Sequence, residues 1–139
     1  MKNAKIIVDT NVLMSGLFFG GVPKDIINLV IDDLFECYAS IDILSEYRKT
    51  YEKMKSHWFK PDSQISIDSF IANTILIFPS TPIKVCRDED DNKFIECAET
   101  CDADFIITGD KDLLVLQKYK NVEIITPKEF IDLINNEIS

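Results

Sequence analysis

The chain has 139 residues, enough for one domain to bury a substantial core without disulfide or metal staples. Apolar residues make up 46% of it, and no run approaches the ~20 apolar residues of a membrane-spanning helix, which excludes a helical span. The net charge is −9, from 15 basic and 24 acidic residues, which excludes a uniformly basic nucleic-acid binder.

Ala4 to Val8 is a short apolar run with β-branched residues, the pattern of a buried strand. After Gly20-Gly21, Pro23 stands where a helix begins. Ile26, Ile27, Val30, Ile31 and Leu34 then follow the 3.6-residue period, predicting a helix over Val22 to Leu34. Phe35 to Ala39 reads as a second strand. Ser40 is placed to cap a helix that runs to about Trp58, with Ile43, Leu44, Tyr47 and Tyr51 on one face. Pro61, Asp62 and Ser63 open a further predicted helix, through about Asn73. Ile75 to Phe78 is a predicted strand closed by Pro79 and Pro82, and residues 86–90 a polar, acidic loop. Asp91 to Cys101 is amphipathic, with Phe94, Ile95, Cys97, Ala98 and Cys101 inward. Phe105 to Thr108 is a strand, Lys111 to Gln117 a short helix and Val122 to Ile125 a strand. Pro127 starts the last helix, to about Asn135.

Strands alternate with helices, and the strands are continuously apolar. That pattern belongs to a parallel sheet covered on both faces. The predicted fold class is therefore α/β: a three-layer α/β/α sandwich with a doubly wound, mostly parallel sheet, forming a single domain over residues 1–139.

The excess acid is uneven. Ten acids fall within residues 86–112, whereas residues 47–60 carry Arg48, Lys49, Lys53, Lys55, His57 and Lys60 against Glu52 alone. On the predicted map Asp9 follows the first strand, Glu46 lies two turns into the helix after the second, Asp91 stands in a first helical turn, and Asp110 and Asp112 follow the strand ending at Thr108. In an open parallel sheet the ligand crevice lies outside the carboxyl ends of the strands. Two like charges ~4 Å apart at an effective dielectric near 20 cost about 4 kcal/mol, so such a cluster needs protons or cations. All-oxygen ligands favour Mg²⁺ or Mn²⁺ over zinc. A site of that kind activates water against a phosphodiester.

These residues resemble the PIN-domain family, many members of which are VapC-like ribonuclease toxins of bacterial toxin–antitoxin pairs. The resemblance rests on Ile6-Ile7-Val8-Asp9-Thr10-Asn11-Val12-Leu13, Ser40-Ile41-Asp42-Ile43-Leu44-Ser45-Glu46, Asp90-Asp91-Asn92-Lys93-Phe94-Ile95-Glu96-Cys97-Ala98, and Asp104-Phe105-Ile106-Ile107-Thr108-Gly109-Asp110-Lys111-Asp112-Leu113-Leu114, in that order. It implies a doubly wound sheet and metal-dependent endoribonuclease activity. Asp9, Glu46, Asp91 and Asp110 would be the catalytic, metal-binding quartet, Asp112 a further metal ligand, and Asn11 and Thr108 supporting polar residues. Asp91 is preferred to its neighbours Asp88 and Asp90 because Ala98 follows at the family's helix spacing. The resemblance also implies a homodimer and an antitoxin protein as partner.

Arg48, Lys49, Lys53 and Lys55 follow Glu46 and are candidates to guide RNA phosphates, against the plainer reading of a solvated helix face. Trp58, Phe59 and Phe70 read either as core or as an apolar patch for a partner. The four cysteines form no C-x-x-C pair and His57 is the single histidine, so a zinc site is unsupported. The thiols read as buried or half-buried in a reducing compartment. Met1-Lys2-Asn3-Ala4-Lys5 enters a strand without a secretory core, so the expected location is cytoplasmic. Two other functions are weighed: a non-catalytic RNA- or protein-binding module, and an aspartyl phosphatase. The phosphatase pattern would want an acid two residues after Asp9, where this chain has Asn11.

Overall fold

The computed structural model describes residues 3–57, 59–62 and 65–138. Its strands are β1 (Lys5–Val8), β2 (Glu36–Ala39), β3 (Thr74–Leu76), β4 (Phe105–Ile107), β5 (Lys118–Tyr119) and β6 (Val122–Ile125). They form one sheet in the order β3-β2-β1-β4-β6-β5, parallel throughout except for the β5–β6 pair. The helices are α1 (Thr10–Phe18), α2 (Gly21–Ile31), α3 (Ile41–Ser56), α4 (Ile67–Ala72), α5 (Asn92–Cys101), α6 (Lys111–Leu114) and α7 (Pro127–Ile138), with a 3₁₀ turn at Glu89–Asp91. Successive side chains of a strand face opposite sides of the sheet. Ile6, Ile7 and Val8 are all fully buried, so helices cover both faces of β1, and the three-layer, doubly wound arrangement holds. The core continues through Tyr47, Phe70, Phe94 and Phe130.

The strand order reverses direction between β1 and β4, the switch point at which such sheets hold their ligands. Val8 pairs with Ile107 at the carboxyl ends of these two strands. The next residues along each chain, Asp9 and Thr108, therefore emerge side by side.

Four local expectations are corrected. Helix α1 was not anticipated: Val12, Leu13, Met14, Gly16 and Leu17 are all buried, so it carries no one-sided apolar stripe. Gly16 lets α1 and α2 meet, since a Cβ there would lie 2.3 Å from Ile27 Cδ1 and 2.9 Å from the Pro23 carbonyl carbon. The helix expected from Pro61 is only Ile67–Ala72, capped by Ser66, whose hydroxyl accepts the Asp68 and Ser69 amides at 3.1 and 3.4 Å. Asp62 instead ties the preceding loop to the two first helices: its amide donates to the Leu17 carbonyl at 2.6 Å and its carboxylate pairs with Lys24 at 2.7 Å. The helix expected to reach Gln117 stops at Leu114, because Gln117 adopts a left-handed φ of 60°; two-residue β5 follows. Finally, β3 is an edge strand. Ile75, Leu76 and Phe78 are exposed rather than buried.

Phe70 belongs to the core, Phe59 is exposed and stacks edge-on against Phe19 at 5.6 Å between ring centroids, and Trp58 lies outside the described residues. Cys37 and Cys97 are buried and Cys86 and Cys101 half-buried, all as free thiols. Among the described residues, no single helix is long and apolar enough to cross a membrane.

Candidate metal centre

A line of hydrogen bonds spaces three of the acids. Asp9 sits at the start of α1 but leaves the cap position unused; its Oδ2 instead accepts from the Thr108 hydroxyl at 2.7 Å. That hydroxyl accepts the Asp110 amide at 2.9 Å. Asp110 caps α6, its Oδ1 accepting the Asp112 amide at 2.8 Å. Thr108 is fully buried, so its hydroxyl has a fixed donor and a fixed acceptor role.

Glu46 reaches the same place from α3. Ser40 starts that helix, its hydroxyl accepting the Ile43 amide at 3.3 Å. One turn beyond, the Tyr47 hydroxyl donates to the Val8 carbonyl, locking α3 to the carboxyl end of β1. The Thr10 hydroxyl donates to Glu46 Oε1, and the Lys93 ammonium lies 2.5 Å from Glu46 Oε2.

Asp91 closes the 3₁₀ turn at the head of α5. In a parallel α/β fold a crossover helix runs against the strands, which puts its N-terminus at their carboxyl edge. The buried Asn92 fixes the approach: its Oδ1 accepts the Val85 and Cys86 amides at 3.1 and 2.9 Å. Asp91 is 7% exposed, and its Oδ2 is buried with no hydrogen-bond partner among the described residues. Asp88, Asp91 and Asp112 each offer a carboxylate oxygen within 4.8 Å of the others.

The acids feel one another. Burial pushes the Asp9 carboxyl up to about 6; the Thr108 hydrogen bond opposes this, and the charges of Asp110 and Glu46 add to it. Burial likewise pushes Asp91 up to about 7, and the neighbouring Asp110 carboxyl, with the charges of Asp88 and Asp9, adds to it. Asp9 thus feels Asp110 and Glu46, and Asp91 feels Asp110, Asp88 and Asp9, while the carboxylates brought to ligand spacing of one another are those of Asp88, Asp91 and Asp112. The half-buried Cys86 thiol is pushed up to about 11 by burial and by Asp91 and Asp110. It stays neutral, so the available ligands are hard oxygens.

Asn11 is exposed and lines a cleft of about 490 Å³ with Gly109 and Asp110. Of the four basic candidates, Lys49 lines a groove of about 680 Å³ together with Glu46 and Lys93. Arg48 pairs with Asp68 at 2.9 Å, and Lys53 and Lys55 sit in the last turn of α3. Sequence reasoning passed over Thr10, Asn92 and Lys93, and set Asp88 behind Asp91. Thr10 and Asn92 carried one signal, each directly following a candidate ligand, Asp9 and Asp91.

The profile of the PIN domain family matches residues 5–112. The chain belongs to the PIN-domain family. The uncharacterized protein MJ1680 of Methanocaldococcus jannaschii is 37% identical over 147 residues, covering 97% of this chain and 94% of its own. No solved structure matches. PIN domains are usually nucleases that use divalent metals. The donor set of this PIN domain fits such an ion: a buried orphan oxygen on Asp91, two carboxyls raised by burial and further by neighbouring acids, and no competing thiolate or imidazole among the residues that gather there.

Proposed function

We propose that this PIN domain is a metal-dependent endoribonuclease that hydrolyses RNA phosphodiester bonds, with the whole chain, residues 1–139, acting as one domain. The observation that carries the reading is the buried, unpartnered Oδ2 of Asp91, a residue whose carboxylate lies within 4.8 Å of those of Asp88 and Asp112. An oxygen left in that condition costs about 1–3 kcal/mol unless something binds it, and a divalent cation meets the need.

Asp9, Asp91 and Asp110 would hold Mg²⁺ or Mn²⁺, with Glu46 and Asp112 completing the set from either side. When bound there, the cation supplies Lewis acidity and a water of lowered pKa. The protein's own part is positional. Thr108 keeps Asp9 and Asp110 at fixed spacing, Thr10 orients Glu46, and Asn92 holds the loop that delivers Asp91. Lys49, in the groove beside Glu46, is the best placed of the basic residues to receive a phosphate.

The test is cleavage of single-stranded RNA with Mn²⁺, with EDTA, and by Asp9→Asn. Cleavage that needs Mn²⁺ and is lost in the variant supports the reading; undiminished cutting by Asp9→Asn overturns it. The resemblance to the toxin branch supports a finer version: a cytoplasmic toxin, dimeric, held in check by an antitoxin protein. Induced expression would then arrest growth, and Asp9→Asn would relieve the arrest.

A further inference from the structure

The acids of the site fall into two kinds. Asp9, Asp91 and Asp110 form no salt bridge among the described residues. The two outer acids each have one: Glu46 with Lys93 at 2.5 Å, and Asp112 with Arg87 at 2.9 Å. The two cations thus bracket the site, and both come from the segment that delivers Asp91.

We propose that Lys93 and Arg87 are exchangeable counter-ions: they occupy Glu46 and Asp112 while no metal is bound, yield these carboxylates to the divalent ion, and then bind the phosphate backbone of the strand to be cut. The inference rests on the nuclease reading and adds to it the residues that receive the substrate.

Three observations support the exchange. A doubly charged ion outcompetes a single ammonium for a carboxylate that other acids already crowd. The freed Lys93 head has somewhere to go, because Lys93 and Glu46 line one open groove that also takes in Lys49 and Lys84. Its other contacts are the Asp90 carbonyl, at 2.6 Å from the ammonium, and the Phe94 ring, whose centroid lies 5.4 Å from it. Arg87 is largely exposed, at 63% of its side chain, so its guanidinium turns outward without loss of packing. The exchange also explains how a chain of net charge −9 admits a polyanion. Metal binding adds positive charge at the centre and releases two cations at its rim in the same event.

The test is calorimetric titration of Mn²⁺ into the full chain at fixed ionic strength, for wild type, Lys93→Gln, Arg87→Gln and Lys93→Arg. Removing a competing cation worth up to ~1 kcal/mol tightens Mn²⁺ binding about two- to fivefold in the Gln variants, and Lys93→Arg stays near wild type. At saturating Mn²⁺, anisotropy with a phosphorothioate single-stranded RNA reads the second half of the exchange. From about 50 to 200 mM salt, each Gln variant flattens the slope of log affinity against log salt by about 0.7, and Lys93→Arg retains it. Unchanged or weakened Mn²⁺ binding in both Gln variants, or an unaltered salt slope, overturns the exchange while wild-type cleavage keeps the nuclease reading intact. A wild type that neither takes up Mn²⁺ nor cuts RNA overturns both.

Discussion

The Thr108 hydroxyl donates to Asp9 at 2.7 Å while accepting the Asp110 amide at 2.9 Å, so one buried oxygen sets the distance between acids carried by two neighbouring strands. Thr108→Val keeps the shape and removes both bonds. It leaves a buried carboxylate oxygen and an amide unsatisfied, at a cost of about 1–3 kcal/mol. It also removes the interaction that holds the Asp9 carboxyl down, so Mn²⁺ binding at neutral pH weakens. Urea unfolding and calorimetry check both effects. Thr108→Ser, which keeps the hydroxyl, is expected near wild type, and equal losses in Val and Ser variants would assign the residue a packing role only.

Crowded acids give the metal-free protein an inverted pH dependence. The folded Asp9 carboxyl titrates at about 6 against 3.8 unfolded, and Asp91 at about 7. The folded state therefore holds protons that the unfolded state has released. That contribution to stability is present at low pH and is lost as pH rises through the folded values. Between pH 5 and 8, Asp9 alone costs on the order of 1–2 kcal/mol. In EDTA the urea midpoint falls across this window. With Mn²⁺ the slope flattens or reverses, since the ion binds the deprotonated carboxylates. A midpoint in EDTA constant from pH 5 to 8 would show that folding does not raise the Asp9 and Asp91 carboxyls.

Asp91→Asn separates stability from metal binding. The substitution removes a charge that Asp110, Asp88 and Asp9 oppose and supplies amide donors to their oxygens. At pH 8 without metal, the variant melts higher than wild type, as substitutions that relieve a strained functional site commonly do, by roughly 0.5–2 kcal/mol. Its Mn²⁺ affinity drops at least tenfold. Both are read from thermal melts with EDTA and with Mn²⁺, and a variant destabilised under both conditions would mark Asp91 as a structural residue.

Much of this arrangement was legible in the sequence, for identifiable reasons. The buried strands Lys5–Val8 and Phe105–Ile107 announce themselves by unbroken apolar runs, and the acids that follow them inherit a position from the topology. Asp9 and Asp110 inherit theirs directly, whereas Glu46 and Asp91, carried by the helical segments, were assigned to that edge by the family resemblance. Helix α1 was hidden because burial around most of its circumference, all but the side of Asn11, Ser15 and Phe18, blurs the periodicity. The loop at Pro61-Asp62 was misread because its conformation is set by Leu17 and Lys24, more than 35 residues away in sequence. The pairing of Lys93 with Glu46 joins α5 to α3, and no local pattern encodes it.

The contact that hid α1 is itself testable. Gly16→Ala places a methyl group 2.3 Å from Ile27 Cδ1 and 2.9 Å from backbone of Pro23. The side chain can turn aside but the backbone resists, so the variant loses about 1–3 kcal/mol as an overpacked core does. Because α1 begins directly after Asp9, Mn²⁺ affinity should fall with it. Gly20→Ala is the comparison: space is open there, with its nearest neighbour, Lys24 Cδ, 4.0 Å away, and only the backbone, at φ 81° and ψ −143°, is strained, at a cost of about 1–3 kcal/mol. Thermal melts and metal titration separate them: Gly20→Ala retains metal affinity. Equal metal affinity in both variants would mean that the α1–α2 contact does not position Asp9.

The basic residues of α3 should not contribute equally to RNA binding. Lys49 shares the groove with Glu46, whereas Arg48 is paired with Asp68 and Lys55 lies over the Tyr51 ring at 5.4 Å. A phosphate contact released on binding changes the salt slope by about 0.7 per contact for a single strand. Lys49→Glu is therefore expected to weaken binding of single-stranded RNA roughly tenfold at about 100 mM salt and to flatten its salt dependence. Lys53→Glu and Lys55→Glu, further along the helix, shift affinity less than threefold and leave the slope near wild type. Anisotropy titrations at four salt concentrations decide it. If Lys53→Glu matched Lys49→Glu, the strand would run along the helix axis rather than into the groove, and the path to Asp91 would have to be redrawn from the far end of α3.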